Sequence, residues 1–237
     1  MNITLVGAGR AGTSFFLALS RVGHVVSLVH HDELDALNDP DLVVLCVPDD
    51  ALAVTARALP VGEYVVAHVA GSRGLSELAP HTRVGSLHPL AALPSPELGS
   101  ERLVGATYCV AGDALVVDVV HSLHGRARSI ADAARTRYHA TATVAANHVV
   151  ALLAHVERLA DESGLVLDDF LPLVRQALDD VERVGPTEAL TGPASRGDVA
   201  TIDAHLAALP ERERAAYVAL ASVAFDLAER RRTQLLA

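Results

Sequence analysis

The chain has 237 residues, of which 51% are hydrophobic and 20% charged, enough for one large domain or two modest ones. Its formal net charge of -10 and its 3% aromatic content argue against a nucleic-acid partner. No apolar run approaches the roughly 18 residues that a membrane span requires, so we expect no membrane partner and a cytoplasmic location. We expect Cys46 and Cys109 to be buried free thiols.

The first half of the chain alternates β-rich runs with helical patterns, which is typical of a parallel α/β sheet. The predicted strands are 2–6, 25–29, 42–47, 64–69, 83–87, 107–110 and 128–130. Helices are predicted at 10–20, 50–59, 75–78 and 113–124, with a proline-containing loop at 89–96. Because only residues 30–41 separate the second and third strands, one βα unit of the usual order is predicted to be trimmed.

The strand pattern ends near residue 133, and long helical patterns follow it. The predicted helices are 136–162, 168–184, 198–209 and 211–235. We therefore predict two domains, residues 1–132 with the sheet and residues 133–237 entirely helical.

A glycine-rich motif follows the first strand directly and opens a helix. In this G-x-G-x-x-G pattern Gly7 makes the turn, Gly9 lets the backbone approach a pyrophosphate, and Gly12 lets the helix pack against the strand. The helix N-terminus supplies amide donors for that pyrophosphate. The motif predicts a Rossmann-type dinucleotide-binding domain, with these residues as cofactor contacts: Gly7, Ala8, Gly9, Arg10, Ala11 and Gly12.

Residues at the ends of later strands are expected to line the same cofactor site. His30 follows the second strand, Val47 and Pro48 lie at the end of the third, and Gly71 follows the fourth. This is the edge where ligands bind in such sheets. The backbone of Val47-Pro48-Asp49 is expected beside the cofactor, the alternative is a turn in which Asp49 caps the next helix, and both can hold together. Neither His30 nor His31 is a strong phosphate ligand when neutral, and Asp32 would repel a phosphate if it pointed inward, so NAD and NADP both remain open.

Three residues are candidates for catalysis. His88 ends a predicted strand and is a candidate donor to a substrate oxygen, the alternative being a loop histidine held by local hydrogen bonds. His139, Thr143 and Asn147 recur every four residues on one helix face. A reductase needs a group that binds the C=O or C=N and a proton donor, which His139 and Asn147 can provide. The alternative is a pair of structural polar residues.

The turn-rich segment 190–198 contains the candidate substrate contacts Thr191, Arg196 and Asp198. Arg196 can clamp a substrate carboxylate with two hydrogen bonds, while Asp198 either caps the next helix or orients Arg196. An ordinary interhelix loop is the alternative. The sequence has no metal-ligand spacing and no nucleophile-elbow pattern.

Further motifs carry a family resemblance that spans nearly the whole chain. They are Tyr138-His139-Ala140 with Asn147, Leu190-Thr191-Gly192-Pro193, Arg196-Gly197-Asp198 with His205, the glycine motif, Val47-Pro48-Asp49 and His88-Pro89. The sequence resembles bacterial proteins that join a Rossmann-like NAD(P)-binding domain to a C-terminal domain of unknown function, within the 6-phosphogluconate dehydrogenase-like superfamily. Ketopantoate and pyrroline-5-carboxylate reductases are relatives.

The resemblance implies hydride transfer to the C=O or C=N of a small carboxylate-bearing substrate, such as a 2-keto acid or an imine. It implies NADP or NAD as cofactor, ahead of a deazaflavin, and a homodimer through the C-terminal helices. One departure is notable, because the chain contains no lysine and Thr143 stands where hydroxyacid dehydrogenases of this superfamily have one. His139 is the expected substitute. A non-catalytic dinucleotide-binding sensor or assembly protein is the alternative function.

Overall fold

The structure is a computed structural model that describes residues 1–30, 33–34 and 37–235. In this part of the chain one sheet contains strands β1 (Asn2–Val6), β2 (Val25–Val29), β3 (Leu42–Leu45), β4 (Val65–His68), β5 (Val84–Pro89), β6 (Thr107–Gly112) and β7 (Arg126–Ser129). Val, Leu and Ile dominate the central strands, as expected where helices cover both faces.

The order of the strands is β2-β1-β3-β4-β5-β6-β7. β1 to β5 are all parallel, as predicted. β6 runs antiparallel to β5, because the connection returns to the same edge, where the Leu90 N–H donates to the Thr107 carbonyl at 2.8 Å. β2 is an edge strand, and no described residue between Val29 and Leu42 forms a strand outside it, so the trimmed βα unit is confirmed.

Helices cover both faces of the sheet. They are α1 (Arg10–Arg21), α2 (Leu52–Ala58), α3 (Pro96–Leu103) and α4 (Leu115–Ser122), with a 3₁₀ turn at Leu75–Leu78. On one face Val44 of β3 packs in a cluster with Phe15 of α1. On the other face Val43 and Leu45 pack in a cluster with Leu52 of α2. The sheet is therefore buried between two apolar layers.

After β7 the chain is helical. A 3₁₀ turn, Asp132–Ala134, leads into α5 (Arg135–Thr143) and a π-helical turn, Val144–His148. Next come α6 (Val149–Glu162), α7 (Leu167–Ala189), α8 (Gly192–Arg196), α9 (Val199–Ala208) and α10 (Glu211–Leu235). Gly185, at φ 77°, interrupts α7 just before Pro186. The predicted helix 136–162 is thus divided by a π turn, and the predicted interhelix loop at 190–198 contains the short helix α8.

Internal contacts divide the chain into two units, the first ending at His148 and the second beginning at Val149. The sheet and α1 to α5 belong to the first unit, and α6 to α10 to the second. The predicted boundary at residue 133 remains a prediction. Cys46 and Cys109 are both buried and free, as expected. Across the described residues, no helix has both the length and the apolar character that crossing a membrane requires.

Candidate functional site

The glycine-rich loop joins β1 to α1 in the geometry that the motif predicts. Gly7 has φ +107°, and a Cβ there would lie 2.7 Å from the Cys46 carbonyl oxygen. A Cβ on Gly12 would lie 1.8 Å from the Gly7 carbonyl oxygen, so only glycine allows α1 to approach the loop this closely. A Cβ on Gly9 would meet no atom within 4 Å. The backbone of Gly9 therefore faces open space.

The start of α1 fits an anionic group. Ala8, Gly9 and Arg10 are exposed, and the first turn of α1 has no acidic residue and no side-chain cap. Its amide groups and the positive end of its dipole are thus available to an anion. A pyrophosphate would be held by the backbone of Ala8 to Gly12, with the Arg10 side chain at the rim.

The adenosine side of the site is described only in part. His30 is exposed just after β2, and its backbone N–H donates to the Glu33 carboxylate at 3.3 Å. His31 and Asp32, on which the choice between NAD and NADP depends, lie outside the described residues.

The next strand ends are joined by side chains at the carboxyl edge of the sheet. Val47 and Pro48 follow β3, and Asp49 accepts a hydrogen bond from the Ser72 hydroxyl at 2.8 Å. Asp49 also lies 3.5 Å from the Arg73 guanidinium. No side chain caps α2, so the interpretation of Asp49 as a helix cap is wrong. Asp49 instead holds the ends of β3 and β4 together.

His88 is the second-last residue of β5 and does not lie in a loop. Its Nδ1 is 2.5 Å from the Tyr138 hydroxyl, and its ring centroid is 5.8 Å from that of His139, edge to face. Gly71 packs against both rings, because a Cβ there would lie 2.5 Å from His139 Cδ2 and 2.9 Å from His88 Nε2. Burial, and then the charges of His139 and Arg135, lower the pKa of His88 to about 4.

The predicted helical residues His139, Thr143 and Asn147 line the same groove as His88. This groove has a volume of about 440 Å³ and is lined by His88, Pro89, Leu90, Ala91, Ala92, His139, Ala142, Thr143, Ala145, Ala146 and Asn147. His88, His139 and Asn147 therefore meet at one surface of the first unit. Alanines form much of the wall, which leaves the space open.

A buried polar layer lies beside His88, and the sequence interpretation missed it. Arg135 is 1% exposed, donates to Asp132 at 2.8 Å and also donates to Ser86. In the described residues, Arg135 Nη1 and His68 Nε2 have no hydrogen-bond partner. Burial, followed by the charge of Arg135, lowers the pKa of His68 to about 4. Burial first, and then these charges, keep the imidazoles of His68 and His88 neutral at neutral pH.

A signal for this layer was present in the sequence. Ser86 and His88 are two apart on a strand and share one face. Arg135, Tyr138 and His139 recur at the spacing of one helix face. Each spacing is visible in the sequence, but nothing local shows that the two faces meet.

The predicted substrate residues lie in the second unit. Thr191 precedes α8 and Arg196 ends it, and both are exposed. Asp198 caps α9, because its carboxylate accepts the Thr201 N–H at 3.0 Å and the Thr201 hydroxyl at 2.7 Å. These two hydrogen bonds are those of a helix cap, which is one of the two roles that the sequence suggests for Asp198. Across the described residues, no three His, Cys, Asp or Glu side chains converge as a metal site would require.

A comparison with family models matches residues 107–224 to a domain of unknown function, DUF2520. The DUF2520 match begins at β6 and includes Tyr138, His139, Asn147 and Arg196. The glycine loop and His88 precede it.

Solved structures share the fold of this chain. A provisionally assigned NADP oxidoreductase from Bacteroides fragilis is 21% identical, with a TM-score of 0.78, covering 95% of this chain and 98% of that one. A reductive aminase from Aspergillus terreus, in complex with NADPH and ethyl levulinate, is 15% identical, with a TM-score of 0.68 and coverage of 94% and 92%.

The 1-pyrroline-5-carboxylate reductase of Streptococcus pyogenes is 14% identical, with a TM-score of 0.64 and coverage of 95% and 98%. No curated protein matches the chain significantly. At these identities the likenesses establish the fold. Together with the DUF2520 match they confirm the predicted family resemblance.

Proposed function

We propose that this protein is an oxidoreductase that uses a nicotinamide dinucleotide to reduce the C=O or C=N bond of a small substrate. The observation that carries the proposal is that His88, His139 and Asn147 line one groove at the end of β5. These side chains provide the proton donor and the hydrogen bonds that a reduced carbonyl or imine requires. The names of the structural neighbours, an NADP oxidoreductase and two reductases of imine chemistry, support the same class.

The glycine loop supports the cofactor part of the proposal. The exposed backbone of Gly9 and the uncapped start of α1 suit a pyrophosphate. A bound nicotinamide dinucleotide would supply the hydride. We propose NADP ahead of NAD, because Arg10 is exposed beside the loop and a guanidinium suits a 2′-phosphate.

For the substrate, we propose a 2-keto acid or an imine that carries a carboxylate. The exposed guanidinium of Arg196 is the proposed carboxylate clamp, and Thr191 and Asp198 are the proposed neighbouring contacts. His139 or His88 supplies the proton, and Asn147 donates a hydrogen bond to the substrate.

We further propose a homodimer through the helices of the second unit. Large apolar side chains on α7 are exposed, among them Leu173 at 62%, Leu178 at 59% and Val184 at 56%. Exposed apolar surface of this kind is typical of an interface between subunits.

A glycine variant tests the cofactor site directly. Gly9 has φ −72° and ψ −176°, a conformation that valine tolerates, and its side chain would enter the open space above the loop. We expect Gly9→Val to fold normally and to weaken NADPH binding at least about tenfold, or about 1.4 kcal/mol, in calorimetric titration. Ala58→Val, at the exposed end of α2, is the matched control.

Two outcomes would contradict the cofactor proposal. The wild-type chain could bind neither NADPH nor NADH, or Gly9→Val could bind as tightly as the wild type. Turnover separates the enzyme from the alternative of a non-catalytic sensor or assembly protein. NADPH oxidation with a panel of 2-keto acids and cyclic imines supports the enzyme, whereas tight binding without any turnover supports the sensor.

A further inference from the structure

We propose that Tyr138 is a positioning residue that holds His88 in the tautomer with its proton on Nε2, aimed at the substrate. The position of the ring proton is a property of the chain without cofactor or substrate. The use of that proton in a reduction rests on the proposed function above.

The first step of the argument is geometric. Tyr138 Oη lies 2.5 Å from His88 Nδ1, and the two rings meet edge to face at 87°. A neutral imidazole has one nitrogen that donates and one that accepts. If the phenol donates to Nδ1, the ring proton must be on Nε2.

The electrostatic surroundings keep the phenol protonated and the imidazole neutral, so the phenol has a proton to donate and Nδ1 can accept it. Burial, and then the Cys109 side chain, raise the pKa of Tyr138 well above its usual value, so the hydroxyl keeps its proton. Cys109 lies opposite His88 in the pairing of β5 with β6. On the histidine side, burial with the nearby charges of His139 and Arg135 disfavours the imidazolium, which could not accept at Nδ1. A neutral phenol therefore meets a neutral imidazole.

Nε2 is directed away from Tyr138 and towards the end of β4. It lies 2.9 Å from the position that a Cβ of Gly71 would occupy, and it has no hydrogen-bond partner in the described residues. His88 is also part of the groove wall that contains Asn147. Its donor is thus free to bind the oxygen or nitrogen of a substrate in the groove.

The hydrogen bond also provides a route by which a proton reaches the substrate. Once the substrate carbon has gained its hydride, the substrate oxygen or nitrogen carries the electron pair of the former π bond. The Nε2–H bond of His88 breaks and the new O–H or N–H bond forms, while the Tyr138 proton moves to Nδ1. The imidazole stays neutral throughout. After the product leaves, a water molecule protonates Nε2 and departs as hydroxide while the Nδ1 proton returns to the phenolate, which restores the starting tautomer.

The tautomer can be measured without cofactor or substrate. Long-range ¹H–¹⁵N spectra of the full chain, labelled on its 12 histidines, separate Nδ1–H from Nε2–H rings, and His88→Gln assigns the signal. We expect the Nε2–H form of His88 in the wild type. In Tyr138→Phe we expect this preference to decrease and the pKa of His88 to rise, because the donor that stabilises the neutral ring is lost.

The chain contains a matched control. Tyr217 lies 2.6 Å from His205 Nδ1 in the second unit, in a second tyrosine–histidine pair with the same edge-to-face geometry. Tyr217→Phe should change the His205 signal and leave that of His88 unchanged. An Nδ1–H form of His88 in the wild type, or a His88 signal that Tyr138→Phe does not alter, would overturn the proposal.

A second measurement tests the use of the proton. With NADPH and whichever keto acid or imine is turned over, we expect Tyr138→Phe to lower kcat at least about tenfold with little change in KM. An unchanged kcat would overturn the proposed proton transfer from Tyr138 through His88 to the substrate, and it would leave the tautomer result intact. If no substrate is turned over, the proposed function fails, and the spectra still decide the position of the proton.

Discussion

At the glycine-rich loop, the three motif glycines differ in what a side chain would contact. Gly7 needs its positive φ, Gly12 needs the absence of a Cβ, and Gly9 has free space around it. The sequence motif marks all three equally. Only Gly7 and Gly12 are required by the packing of the chain, whereas glycine at the second position leaves the loop open to a ligand.

This difference gives a prediction for stability. Gly12→Ala places a Cβ 1.8 Å from the backbone oxygen of Gly7, which cannot move without shifting β1. We expect the free energy of unfolding, measured in urea, to fall by about 3 kcal/mol. Gly9→Ala is the control and should change it by less than about 0.5 kcal/mol. Equal effects at the two positions would contradict this account of the loop.

Among the histidines, position in the sequence identified the candidates but not their chemistry. His88 and His139 were predicted from a strand end and a helix face, and both line the groove. The partner of His88, Tyr138, is 50 residues away along the chain. No local pattern relates the two, so the state of the imidazole could not be predicted.

At the scale of elements, α3 is the main helix that the sequence analysis did not predict. Its start signals are present in the sequence: the Ser95 hydroxyl accepts the Leu98 N–H at 3.3 Å, and Pro96 occupies the first turn. Gly99 weakens the helical pattern in the sequence. In the structure a Cβ at this position would lie 2.2 Å from the Ser14 hydroxyl of α1. The glycine that obscures the helix in the sequence lets it pack against α1.

In the second unit, a buried carboxylate joins α6 to α10. Glu213 is 3% exposed and accepts hydrogen bonds from Arg158 at 2.8 and 2.9 Å and from His155 at 2.7 Å. Arg158 above all, and then His155, lower the pKa of Glu213 from about 4.5 to about 2. His155 thus has a structural role.

This network predicts a pH dependence of stability. Because the folded pKa of Glu213 is the lower one, its stabilisation is complete above about pH 4.5 and is lost as the pH falls towards about 2. We expect Glu213→Gln to lower the free energy of unfolding at about pH 7, with a smaller difference from the wild type at about pH 3. Urea unfolding at both pH values measures this.

The control for this experiment is Glu211→Gln, which changes an exposed carboxylate in the first turn of the same helix. It should leave the pH dependence as it is in the wild type. A constant difference between Glu213→Gln and the wild type across the pH range would show that the lost carboxylate acts without its ionisation.

At the scale of the whole molecule, the proposed homodimer gives a prediction for the oligomeric state. Leu178 and Val181 are 59% and 42% exposed on neighbouring positions of α7. We expect the double variant Leu178→Glu and Val181→Glu to shift the chain from dimer to monomer in light scattering, because two charges would have to be desolvated at the interface.

Val54→Glu is the matched control, since Val54 is also 59% exposed but lies on α2 in the first unit. It should leave the mass unchanged. A wild-type chain that is monomeric at micromolar concentration would contradict the proposed dimer.

The sequence by itself determined the features that depend on neighbouring residues. These are the glycine turn after β1, the alternation of strands and helices, the short span between β2 and β3, and the absence of lysine from any catalytic role. Each follows from local backbone preferences or composition, and each needs no knowledge of distant contacts.

Only the tertiary structure decided how distant segments meet. It brings α5 against β5, so that Arg135 contacts Ser86 and Tyr138 contacts His88, and it reverses β6 relative to its neighbours. The physical reason is that such pairings depend on which buried polar groups find partners once the chain has packed, and that is not encoded in the spacing along any one element.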